Sequence, residues 1–87
     1  MSASTTIRGA VAEGADGERI NRLAALTGAR PPEGAVLLAE MEGDPIAAIG
    51  IFDGRAIFNP GRSTLELRVR LRVLRLQLRL IATVYGV

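Results

Sequence analysis

The stretch Ser63-Thr64-Leu65-Glu66-Leu67-Arg68-Val69-Arg70-Leu71-Arg72-Val73-Leu74-Arg75-Leu76-Gln77-Leu78-Arg79-Leu80 decides the fold. Leucine or valine alternates with arginine almost residue by residue. Odd positions 65 to 73 are apolar, then the phase flips and even positions 74 to 80 are apolar. Taken literally, a period of two argues for a strand. Three observations favour a helix instead. Ser63 and Glu66 fit a capping box, in which each side chain satisfies the other residue's backbone donor. Leu, Arg and Gln are good helix formers, with Val69 and Val73 as interruptions. A continuous strand over the sixteen residues 65–80 would run about 53 Å, far beyond the usual strand, and no turn residue marks the phase flip.

Wound as a helix over 63–84, the pattern resolves into two apolar stripes. Leu67, Leu71, Leu74, Leu78 and Ile81 follow a seven-residue rhythm down one side. Leu65, Val69, Val73, Leu76 and Leu80 form a second stripe roughly 140° away. A basic stripe, Arg68, Arg72, Arg75 and Arg79, fills one gap; Glu66, Arg70 and Gln77 fill the other. A helix lying on one sheet needs one apolar face. The second is expected to meet another helix, another subunit or a lipid surface, and the Leu67-Leu71-Leu74-Leu78-Ile81 stripe is taken as the interface.

The rest of the chain reads as strand, helix, three-stranded meander. Thr5-Thr6-Ile7-Arg8 is expected to be a short strand stopped by Gly9. Asp16 is a candidate N-cap for a helix carrying Ile20, Leu23, Ala24 and Thr27 on one face, with Arg19 and Arg22 outward, ended by Gly28. Pro31-Pro32 forces extended chain. Val36–Glu42 and Ile46–Phe52 are apolar runs joined through Gly43-Asp44-Pro45, with Gly-Asp as the turn pair. Asp53-Gly54 introduces a further short strand, Arg55–Phe58, and Asn59-Pro60-Gly61 closes it. The expected fold class is α+β: a small antiparallel sheet of about four strands packed with two helices, in one domain over residues 1–87.

Composition narrows the chemistry. Cysteine and histidine are absent from the 87 residues, which removes disulfides, thiolate nucleophiles, Ser-His triads and the usual zinc sites. At this size folding is marginal, and oligomerisation is the remaining route to extra buried area. All eleven basic residues are arginine, which reads as a coding bias rather than a binding signal. Residues 1–61 carry five arginines against eight acids, net −3, and residues 62–87 carry six against Glu66, net +5. The basic end could meet nucleic acid, anionic lipid or the acidic part of its own fold. Nucleic acid is disfavoured because no aromatic residue interrupts the arginines for stacking. Arginines 68, 70, 72, 75 and 79 would each cost roughly 2.5–3.5 kcal/mol near a bilayer centre, so 65–84 is not expected to span one. Met1–Thr6 is polar and lacks the apolar core of a secretory signal. The expected location is cytoplasmic, with peripheral attachment at a membrane as the variant.

No reaction stands out. Glu40 and Glu42, two apart on one strand, share a face, and Asp44 and Asp53 lie in turns, a pattern better explained by a solvated face and turn formation than by an acid/base pair. Asn59-Pro60-Gly61-Arg62-Ser63-Thr64 precedes a helix start where free amides and Arg62 could hold an anion, but it lacks a Walker pattern. No catalytic, cofactor-binding or metal-ligating residue is assigned.

Thr6-Ile7-Arg8-Gly9-Ala10 resembles the opening strand of GNAT-type N-acetyltransferases, and Val36 through Ile51 resembles their second and third strands. The likeness covers residues 5–58 and implies the N-terminal half of that fold. Gly9 replaces the usual proline, and Gly14 sits where an acid often starts the first helix. Asn59–Thr64 does not match the glycine-rich loop that holds acetyl-CoA pyrophosphate, so no cofactor residue carries over and none is expected. These readings together give a non-enzymatic GNAT-like domain that pairs with itself, as a dimer, through the C-terminal helix. The alternatives are a peripheral protein on an anionic membrane surface and a degenerate or dimer-completed N-acetyltransferase.

Overall fold

The computed structural model describes residues 5–62 and 64–84. Strand β1 spans Thr5–Val11, helix α1 Gly14–Thr27, β2 Ala35–Met41, β3 Asp44–Gly50, β4 Ala56–Phe58 and helix α2 Leu65–Val84. The strands form one antiparallel sheet in the order β1-β2-β3-β4. This is the α+β architecture expected, with four strands and two helices.

The helices lie on opposite faces of the sheet. Ile20, Leu23 and Ala24 of α1 pack on Val36, Leu38, Ala48 and Ile57. Leu67 and Leu71 of α2 pack on Leu37, Ala39, Ala47 and Ile49. Successive side chains on a strand point to opposite faces, so these two sets interleave along β2 and β3. Double coverage explains why both central strands are nearly unbroken apolar runs rather than alternating ones. The alanines at 39, 47 and 48, all buried, keep the sheet surface low.

Local differences from the expectations have physical reasons. β1 continues through Gly9 to Val11, because seven residues pair with β2 from Thr5↔Met41 to Val11↔Ala35. Ladder hydrogen bonds outweigh the strand-weakening effect of one glycine. Helix α1 starts two residues before Asp16, with Glu13 at the N-cap making no side-chain cap; Asp16 sits in the first turn, where a negative charge suits the helix dipole. The β2–β3 turn centres on Glu42-Gly43 rather than Gly43-Asp44. Both have positive φ, 53° and 82°, as the type I′ hairpin turn requires. Gly28 ends α1 in the left-handed conformation, φ 69°. At the start of α2, Thr64 Oγ1 accepts a hydrogen bond from the Leu67 amide at 3.1 Å, the geometry of an N-cap. The expected Ser63–Glu66 capping box lies partly outside the described residues.

Candidate interaction surface on the C-terminal helix

Helix α2 is held down along one side of its N-terminal half. Leu71 is fully buried, Leu67 nearly so, and Leu74 packs against the same cluster. The stripe taken from sequence as the interface is therefore the inward one: Leu67, Leu71 and Leu74 are consumed by the chain's own sheet. Its last two members, Leu78 and Ile81, remain exposed. Arg79 already reaches the Phe52 carbonyl, beyond the end of β3 at Gly50, so the final turn runs past the sheet that shelters the rest.

The outward stripe is the second one. Leu65, Val69, Val73, Leu76 and Leu80 are between 48% and 77% exposed. Val69, Val73, Leu76 and Leu80 are spaced four, three and four residues apart, the interval of a coiled-coil seam. With Leu65, Leu78 and Ile81 they place seven large apolar side chains of one helix in water. Single exposed leucines need no explanation, whereas a contiguous stripe of this extent does.

The basic stripe serves mostly its own fold. Arg75 Nε donates to the Gly50 carbonyl at 2.9 Å. Arg79 Nη1 donates to the Phe52 carbonyl at 3.3 Å, and its guanidinium lies 5.9 Å from the centre of the Phe52 ring. Arg68 stacks over Phe58 at 5.0 Å. These contacts fasten α2 to β4 and to the turn after β3 and add cation–π attraction to leucine packing. Arg70 and Arg72 are exposed beside the outward stripe.

The acidic residues divide in the same way. Glu40 is buried between Arg8 Nε at 2.6 Å and Arg19 Nη2 at 2.7 Å. Arg8 also binds Asp16 at 2.8 Å, and Arg19 donates to the Gly43 carbonyl. Arg19, expected to point outward, thus folds in over β2. Burial pushes the Glu40 carboxyl up, but the hydrogen bonds from Arg8 and Arg19 outweigh it and hold the group below its ordinary value. Glu42 occupies the turn rather than the strand face, so the two glutamates do not converge. Asp44 lies 3.4 Å from Arg62. Asp53 accepts from the Glu33 and Arg55 amides, each at 3.0 Å. Glu40, Asp16, Asp44 and Asp53 are each engaged by an arginine or by backbone amides. Sequence reasoning missed the Glu40 cluster; the signal was an acid placed inside an apolar strand, which demands a buried cation nearby.

Comparisons with protein-family models, with curated proteins and with solved structures find no match to this chain. Among the described residues no helix is long and apolar enough to cross a membrane.

Proposed function

We propose that this chain is a non-enzymatic interaction domain that associates with a second copy of itself through the outward stripe of α2. The observation that carries the reading is the stripe itself: five apolar side chains at near-heptad spacing, on a helix whose opposite side is already anchored. A seam of this spacing is self-complementary, since knobs at 69, 73, 76 and 80 can enter holes made by the same residues of a copy. The kinship with the N-terminal half of GNAT-type acetyltransferases is part of the same proposal.

Charge beside the seam sets how association responds to salt. Arg70 and Arg72 flank the stripe, so two copies bring like charges together. Screening weakens that repulsion while leaving apolar burial intact. Self-association is expected to strengthen as salt rises, whereas attachment of the same helix to anionic lipid would weaken. The lipid reading also loses much of its basic face, because Arg68, Arg75 and Arg79 engage rings and carbonyls of the chain itself.

Sedimentation equilibrium at micromolar protein over a range of salt tests this. The expected result is a mass of two chains, with a dissociation constant that falls as salt is added. Replacing Val69, Val73 and Leu76 together by Gln is expected to give a folded monomer. A wild-type monomer at every salt concentration, or a triple variant that still pairs, overturns the reading. Co-sedimentation with anionic vesicles that disappears at high salt would favour the lipid surface instead.

A further inference from the structure

The opposite side of the molecule carries a second feature, independent of α2. A cleft of about 300 Å³ opens between the C-terminal half of α1, the β2–β3 turn and the segment after β4. Three arginines from two separate segments line it: Arg19 and Arg22 from α1, and Arg62 from the segment after β4. Leu23, Leu26 and Pro45 supply apolar wall.

The three guanidinium groups are not equally committed. Arg19 is already matched by Glu40 and Asp16. Arg62 has one partner, the exposed Asp44 carboxylate at 3.4 Å, a long and solvated pair of small worth. Arg22 forms no ion pair or hydrogen bond with any described residue. The cleft therefore holds an excess of positive charge, with Arg22 uncommitted among the described residues and Arg62 held by one long contact. Leu26, one turn from Arg22, is 74% exposed at the same cleft. A leucine held in water beside an uncommitted arginine gives the cleft two chemistries at once.

We propose that this cleft binds a small amphipathic anion, a phosphate monoester carrying a compact apolar group. The phosphate lies between Arg22 and Arg62, and the apolar group lies against Leu26, Leu23 and Pro45. Guanidinium forks match phosphate oxygens two at a time, and two such forks suit a dianion better than a single carboxylate. Asp44 opposes an anion, so binding requires Arg62 to exchange its long contact with Asp44 for phosphate. Removing Asp44 is accordingly expected to strengthen binding. Of the groups that could hold an anion at Asn59–Thr64, the amides and Arg62, this proposal uses Arg62, joined by Arg22 of α1.

Phenyl phosphate titrated into isotopically labelled full chain, followed by amide chemical shifts, tests the site, with inorganic phosphate and benzoate as separate arms. Phenyl phosphate is expected to saturate with shifts confined to α1 residues near Arg22, the Gly43 turn and Arg62, and to bind more tightly than either comparison probe. Arg22→Gln and Arg62→Gln are each expected to weaken it by about tenfold, the loss of one charge-assisted contact. Leu26→Ser should weaken phenyl phosphate while leaving inorganic phosphate unchanged, and Asp44→Asn should tighten both. Arg30→Gln, outside the cleft, should change nothing. Overturning results are non-saturable shifts, shifts spread over all arginines, or equal losses in the Arg22 and Arg30 variants. Arg22 has no ion pair or hydrogen bond with a described residue to lose in the free protein, so its variant is expected to keep the wild-type amide spectrum. Either outcome leaves the association of α2 untouched.

Discussion

Glu40 joins three elements, since Arg8 comes from β1 and Arg19 from α1 while Glu40 itself sits on β2. An acid buried in an apolar strand would be strongly destabilising alone, and the two guanidinium groups remove that penalty. Glu40→Gln is expected to lower unfolding free energy by about 2 kcal/mol, read from a urea melt, because two charge-assisted bonds become weaker neutral ones. Arg8 is the more exposed of the two partners, so solvent screens its contact more. Protonation acts on the same contacts. Glu40, Asp16 and Asp53 all sit below their ordinary values. Asp16 is lowered by the Arg8 hydrogen bond; at Asp53 burial works upward but amide hydrogen bonds outweigh it. Carboxyls lowered by folding stabilise the native state above their unfolded values and lose that contribution as pH falls through the folded ones. Melting temperature is therefore expected to hold steady from neutral pH to about 5 and to drop below about 4, with a shallower drop in Glu40→Gln. Gly50 is a further residue whose size matters. A Cβ there would lie 1.8 Å from Asp53 Oδ1, displacing the side chain that accepts from the Glu33 and Arg55 amides. Gly50→Ala is expected to cost roughly 1–3 kcal/mol in the same melt.

Among the elements, α2 is the one whose two sides have opposite fates. Leu71→Ala should cost about 2–5 kcal/mol in stability, since a fully buried leucine leaves a cavity between helix and sheet. Leu76→Gln should leave stability of the single chain within about 0.5 kcal/mol and act on association instead. Comparing thermal melts with sedimentation for the two variants separates the stripes. The helix itself was legible from its capping residues, its helix-forming composition and its length, despite the alternation suggestive of a strand. The division of its surface into two stripes was equally legible, because helical pitch alone sets it. Which stripe faces the sheet was not. Leu67-Leu71-Leu74 and Val69-Val73-Leu76 have nearly the same spacing and hydrophobicity, so no local property separates them. The orientation is fixed by how the segment after β4 delivers Leu67 to the sheet, and by Arg75 and Arg79 finding carbonyls at Gly50 and Phe52.

At the scale of the molecule, a four-stranded sheet with a helix on each face leaves one helix with a bare outer side. Helix α1 cannot cover it, being on the far face. A six-layer pairing, with α1, sheet and α2 of one copy against α2, sheet and α1 of the other, would bury the stripe on both copies at once. The salt response is the whole-molecule prediction: tighter pairing with added salt, measured by sedimentation, opposite in sign to electrostatic capture by a membrane. The phosphate-binding cleft lies on the α1 side, so phenyl phosphate is expected to leave the association constant unchanged.

Pattern and propensity alone determined the number and order of elements, the hairpins, the end of α1 at Gly28 and the two-stripe helix. Each of these is a local matter of φ, hydrogen-bond donors and side-chain period, carried by residues near one another in the chain. The tertiary structure decided the inward stripe of α2, the capture of Glu40 by arginines 32 and 21 residues away in sequence, and the gathering of Arg22 and Arg62 at one cleft. Such contacts depend on where distant segments are delivered by the sheet. No periodicity within a segment encodes that.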